Sequence, residues 1–231
     1  VRQYTLTLVE GWTFREFLKA LATHDAIEHP LADVAYDDVM ATLGYDGDHP
    51  EGRFCPDTYF IHNKTRDSDL LKRAYRQMEM HLQRLWAGRD DDLPFKNPYE
   101  ALIMASIVEK ESAVPEERPV IAGVFINRLR KGMRLQTDPT VIYGIGESYD
   151  GDIRFRDLRT DTPYNTYTRK GLPPTPIAMP GLGALKAVMH PAETGYLYFV
   201  ATGDGSGRHI FSATLAEHEK AVDKYQRKRN K

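Results

Sequence analysis

Apolar and polar positions alternate at the start of the chain, where Tyr4, Leu6 and Leu8 are interleaved with Thr5 and Thr7. That period of two predicts a half-buried strand, which Gly11 closes. Thr13 followed by Glu16 spells a capping box, and Phe14, Phe17, Leu18 and Leu21 then recur at helical spacing. Over residues 24–67 short helical patterns mix with turn clusters such as the stretch between Gly44 and Gly52, which places a subdomain boundary there. The division adopted is residues 1–55 and 56–231.

Farther along, Leu71, Ala74, Met78, Leu82 and Leu85 mark an amphipathic helix over residues 68–87, ended by Gly88. A second helix is predicted over 98–112. A third starts at Pro115, a favoured first-turn proline, and runs to Gly132. Residues 136–180 are rich in Thr, Tyr, Gly and Pro with little period of either kind, so they read as loop; Pro173, Pro174 and Pro176 stiffen a segment that serves as a cleft wall or a linker. Strands at 196–200 and 209–211 around the glycines 203–207 form a hairpin. Thr214 and Glu217 repeat the capping box before a C-terminal helix whose basic end, Arg227 to Lys231, suits the negative pole of its dipole. The fold class that follows is α+β, mainly helical with a small hairpin or sheet.

Composition narrows the partners. A formal net charge of -2 gives no field that would favour nucleic acid or acidic lipid. Cys55 is the single cysteine, so no intramolecular disulfide can form. No stretch reaches the roughly 18 to 20 apolar residues of a membrane span. The chain begins at Val1 in mid-strand, from which we expect an upstream segment carrying any anchor. No His or Cys pair stands at metal-ligand spacing, so no metal and no cofactor are expected, and His190 and His209 are read only as further polar candidates.

The candidate chemistry lies on the second helix. At about 100° per residue, Ile103, Met104, Ile107 and Val108 share one face with Glu111 near its centre, while Ser106, Glu109 and Lys110 fall on the polar side. Glu109 and Glu111 point roughly 160° apart, so one of them faces the interior or a cleft, and periodicity selects Glu111. A carboxyl among Ile, Met and Val loses hydration of its charged form, which raises its pKa and suits a general acid. The alternative is an outward-turned side chain, or one neutralised by Arg118 or Arg128.

Several strings in order, IVEKES, VFINRLRKGMRLQTDPTVIYG, YNTY, GLPPTPIAMPG and HPAETGYLYFV, closely resemble the endolytic murein transglycosylase (YceG-like) family. The likeness is dense over 94–225 and weaker at PDTYF (56–60) and VEGWTF (9–14). It implies that the second glutamate of IVEKE, here Glu111, is catalytic, with Ser112 beside it as in other lytic transglycosylases. It implies a helical catalytic domain and, in residues 1–55, the remainder of a LysM-like α/β subdomain. The implied reaction is lysis within peptidoglycan glycan strands: Glu111 protonates the oxygen between N-acetylmuramic acid and N-acetylglucosamine, then takes the proton of the muramic C6 hydroxyl as a 1,6-anhydro end forms.

Gln136, Thr137 and Asp138, with Tyr164, Asn165 and Tyr167, are the expected substrate-binding groups. Amides and hydroxyls can satisfy N-acetyl and sugar hydroxyl groups, and tyrosines offer flat faces with a polar tip. Asp138 before Pro139 also reads as a helix N-cap, and the tyrosines as core. Because Asp138 is a second acid, a muramidase that adds water stands as the first alternative, and a glycan-binding module without activity as the second. The resemblance further implies a single-pass inner-membrane anchor N-terminal to this chain, a periplasmic catalytic part, and peptidoglycan synthases as partners.

Overall fold

The computed structural model describes residues 2–226. Val1 and the basic run Arg227 to Lys231 lie outside the described residues. In chain order the elements are β1 (Gln3–Leu8), α1 (Phe14–Ala22), β2 (Ile27–Glu28), α2 (Val39–Leu43), β3 (Asp57–His62), β4 (Thr65–Arg66), α3 (Asp67–Ala87), α4 (Pro98–Glu111), α5 (Arg118–Arg130), α6 (Asp138–Ile145), α7 (Phe155–Arg159), α8 (Leu182–Met189), β5 (Tyr198–Ala201), β6 (His209–Ser212) and α9 (Leu215–Tyr225). This is the expected α+β mixture of helices and small sheets.

Two apolar cores organise these elements. The first gathers Leu6 and Leu8 of β1, Phe14, Phe17 and Leu21 of α1, and Tyr59 and Ile61 of β3 against the first half of α3. Strand β1 pairs antiparallel with β3, Leu6 opposite Tyr59, so alternate side chains of both strands enter this core. Both predicted capping boxes form, at Thr13 with Glu16 and at Thr214 with Glu217.

The second core surrounds α4, on which α3, α5, α6 and α8 all pack. Ala101 through Val108 are buried without a break, so α4 is not amphipathic, and the polar side expected at Ser106 and Glu109 is interior. Its polar groups are satisfied locally. Ser106 Oγ donates to Ile103 O and accepts from the Ile177 amide, while Glu109 accepts from Arg118 and from the Gly181 amide. A central helix buried all round keeps polar residues only where such partners exist.

The segment read as loop, 136–180, holds two short helices, α6 and α7. At eight and five residues they are too short for a helical period to register. Its proline-rich end is a buried strap rather than a wall of the Glu111 groove. Met179 exchanges backbone hydrogen bonds with Gly11 (2.8 Å) and Trp12 (2.7 Å), and Ile177 bonds Ser106 on α4, so the strap stitches the two cores together. Gly52 has φ +79°, and a Cβ there would lie 2.6 Å from Pro176, which is why glycine stands at this crossing.

Candidate active site

Glu111 is the last residue of α4. Ser112 leaves the helix in extended conformation, its Oγ donating to Val114 O and accepting from the Val114 amide, so the chain turns away and Glu111 ends the helix at a groove. That groove, about 540 Å³, is lined by Glu111, by Phe125 and Arg128 of α5, by Gln136 and Asp138, by Tyr167, by Tyr198 and His209 of the hairpin, and by Leu215, His218 and Val222 of α9. Apolar rings and hydrogen-bonding groups alternate in that lining, a composition suited to a polar ligand with flat apolar faces.

Burial pushes the Glu111 carboxyl above the usual carboxylate range. A hydrogen bond from Thr137 Oγ1 works against that rise; the charge of Asp138 reinforces it, and His209 and Arg128 oppose it. Position at the C-terminal pole of α4 adds to the disfavour of a negative charge. Neither expected neutraliser is paired with Glu111. Arg118 binds Glu109 at 2.9 Å, and Arg128 spends its guanidinium on the carbonyls of Leu197, Arg134 and Leu135. The carboxyl can therefore hold a proton at higher pH than a solvated glutamic acid.

The 136–138 loop is fixed by hydroxyls. Thr137 is buried; its amide donates to Thr166 Oγ1, and the Thr140 hydroxyl bonds Thr166 Oγ1 and Thr137 O. Gln136 has φ +52°, a left-handed conformation uncommon for a non-glycine residue, and its amide donates to Thr166 O. Arg128, bonded to the two carbonyls just before this loop and to Leu197 on the hairpin side, spans the groove floor. Thr137, not Asp138, holds the N-cap position of α6; Asp138 is the first helical residue, and its Oδ1 accepts the Tyr167 hydroxyl at 2.5 Å. Burial and then this bond raise the Tyr167 pKa.

Of the sequence-derived group, Glu111, Gln136, Asp138 and Tyr167 line one groove, and Thr137 bonds Glu111 from behind. Two residues sit elsewhere. Asn165 is fully buried, donating to the carbonyls of Asp157, Leu158 and Thr160 while its Oδ1 accepts from the Tyr167 amide. Tyr164 bonds Thr175 and packs edge-on against Tyr143, away from the groove lining. The groove also takes Tyr198, His209 and His218 from elements far away in sequence, which composition alone did not assign. His209 was read only as a further polar candidate, and the hairpin and the capping box at Thr214 are the local signals nearest to Tyr198 and His218. Among the described residues no cluster of three or more His, Cys, Asp or Glu side chains could hold a metal ion, and no helix is long and apolar enough to cross a membrane.

Comparison with known proteins places this geometry in context. The model of the YceG-like family matches residues 1–224. An endolytic murein transglycosylase of Bacillus subtilis (strain 168) is 40% identical over 179 residues, covering 77% of this chain and 48% of the relative. One of Streptococcus pneumoniae serotype 2 (strain D39 / NCTC 7466) is 33% identical over 177 residues, covering 74% of this chain and 31% of the relative. This chain thus spans about half the length of the first relative and about a third of the second. A crystal structure of a yceG-like protein from Listeria monocytogenes superposes with a TM-score of 0.77 at 31% identity, over 94% of this chain and 75% of the other.

Proposed function

We propose a function for a chain that belongs to the YceG-like family: it is the catalytic part of an endolytic murein transglycosylase, a lyase that cuts within peptidoglycan glycan strands. The observation that carries the reading is one carboxyl of raised pKa, in no ion pair among the described residues, opening on a groove of about 540 Å³. The names of the Bacillus and Streptococcus relatives support the same class of reaction.

In this reading Glu111 enters the reaction protonated. It gives its proton to the oxygen joining N-acetylmuramic acid to N-acetylglucosamine as the C1–O bond breaks, and the positive charge growing at C1 is supported by the substrate's own 2-acetamido group. Glu111, now a carboxylate, accepts the proton of the muramic C6 hydroxyl as that oxygen bonds C1, closing a 1,6-anhydro ring. The Thr137 hydrogen bond stabilises the carboxylate between these two steps. No water is consumed, so one carboxyl suffices where hydrolysis ordinarily uses two. Gln136 and Tyr167 lie along the same groove as candidate partners for sugar hydroxyl and acetamido groups.

A second reading, hydrolysis by a muramidase, is favoured by one feature: Asp138 lines the groove with Glu111. Its Oδ1 is engaged by the Tyr167 hydroxyl, which argues for a fixed acceptor rather than a base for water. The proposal extends to location. Murein lies outside the cytoplasmic membrane, so the groove would work in the periplasm, held to the inner membrane by a single helix N-terminal to these residues and alongside peptidoglycan synthases. Mass spectrometry of purified peptidoglycan digested with the protein tests the reaction. Anhydro ends are expected; reducing ends would replace lysis by hydrolysis, and unaltered glycan would leave only binding.

A further inference from the structure

We propose that His209 is a substrate-binding residue of the groove, its imidazole locked by Glu117 so that Nε2 meets a hydroxyl of an N-acetylated sugar beside Glu111. This rests on the function proposed above. The geometry is a buried carboxylate that, among the described residues, bonds one histidine through both oxygens. Glu117 is 8% exposed, and it accepts from the His209 amide through Oε1 at 3.2 Å and from Nδ1 through Oε2 at 2.8 Å. The ring is further clamped edge-on by Phe199, centroids 5.3 Å apart, and by Phe211.

A carboxylate only accepts, so Nδ1 donates to Glu117 and Nε2 is the ring nitrogen left for a ligand. Among the described residues Nε2 has no hydrogen-bond partner, although His209 lines the groove together with Glu111. A purely structural histidine at the start of a strand does not require a buried carboxylate from another element to set its tautomer. A hydrogen-bonding atom of fixed direction is what a sugar hydroxyl, able to donate or accept, needs from a wall that also holds Phe199, Val200 and Leu215. The charged and titratable groups facing the same space are Glu111, Asp138 and Tyr167 from one side, Arg128 of α5 below, and Tyr198 and His218 from the hairpin and α9.

The test uses the whole chain and a soluble oligomer of alternating N-acetylglucosamine and N-acetylmuramic acid. In the Glu111→Gln background, adding this oligomer should shift the imidazole Nε2 resonance of His209 in nitrogen-15 NMR with saturation; an unmoved resonance at saturating oligomer overturns the proposal. With Glu111 intact, His209→Phe keeps the ring packing and removes the polar atom, and His209→Gln keeps a polar atom. The expected pattern is KM raised at least five-fold for His209→Phe with kcat within two-fold, and partial recovery for His209→Gln. Glu117→Ala, which frees the ring without removing it, should raise KM in the same direction. A His209→Phe protein with the parent KM contradicts the assignment. Failure of the parent protein both to bind and to cut the oligomer would instead sink the function on which the assignment rests.

Discussion

The Thr137 hydroxyl donates to Glu111 Oε1, joining the last residue of α4 to the N-cap of α6, 26 positions farther along the chain. A donor aimed at the carboxylate favours its charged form and holds the side chain in one orientation. Thr137→Val should therefore lower kcat about ten-fold, a hydrogen bond to a charged group contributing on the order of 1.5 to 3 kcal/mol. It should also move the alkaline limb of the pH–rate profile upward, because the proton is held more tightly once the donor is gone. Thr137→Ser, which keeps the hydroxyl, should resemble the parent in both respects.

The neighbouring glutamate has a different role. Glu109 forms an ion pair with Arg118 at 2.9 Å, with 6% and 13% of the two side chains exposed. Breaking such a pair strands a buried charge and costs about 3 to 5 kcal/mol. Thermal or denaturant unfolding of Arg118→Met should show a loss of that size. A change within about 0.5 kcal/mol would mean that the pair contributes nothing to holding α4 against α5.

A pH dependence of stability follows from Glu51. It is 1% exposed, accepts from the Phe14 amide and the Tyr143 hydroxyl, both at 3.0 Å, and is pushed up to about 7 by burial despite those bonds. A raised carboxyl pKa gives stability that is complete below the unfolded value near 4.5 and lost as pH rises through about 7. The shift corresponds to on the order of 3 kcal/mol. The melting temperature should fall between pH 5 and pH 8, and Glu51→Gln should flatten that fall. An unchanged slope in the variant would remove Glu51 as its source.

Asn165 separates a structural amide from a ligand-binding one. Its Nδ2 meets three carbonyls, and its Oδ1 accepts the Tyr167 amide. Asn165→Ala should cost about 2 to 4 kcal/mol by leaving these groups buried and unpaired. Asn165→Asp should cost more, since an oxygen would then face the carbonyls. A stable Asn165→Ala protein with a raised KM would instead return this residue to the substrate.

Much of this architecture could be read along the chain, and the failures have physical causes. Capping boxes at Thr13 and Thr214, the alternation of Leu6 and Leu8, and the hairpin about Gly203–Gly207 rest on local rules, and all recur in the structure. Helical phase picked Glu111 for the groove and Lys110 for solvent, yet Ser106 and Glu109 of the same polar side point inward, because they find partners on the strap and on α5. Residue types at 164–167 pointed to ligand chemistry; only Tyr167 reaches the groove, since a buried amide and a half-buried tyrosine satisfy backbone and threonine partners just as well. His209, Tyr198 and His218 join Glu111 through tertiary packing of the hairpin and α9, a relationship that no spacing in the sequence encodes.

The most direct measurement of the central claim is the rate at which purified Glu111→Gln protein cuts peptidoglycan, set beside its melting temperature. Loss of a general acid costs about 10²- to 10⁴-fold in rate. Burial disfavours the charged form of Glu111, and the neutral amide can still accept from Thr137, so the variant should melt at or above the parent temperature at neutral pH. A folded variant slowed by at least a hundred-fold is the predicted result; one that cuts within a few-fold of the parent rate would contradict the account.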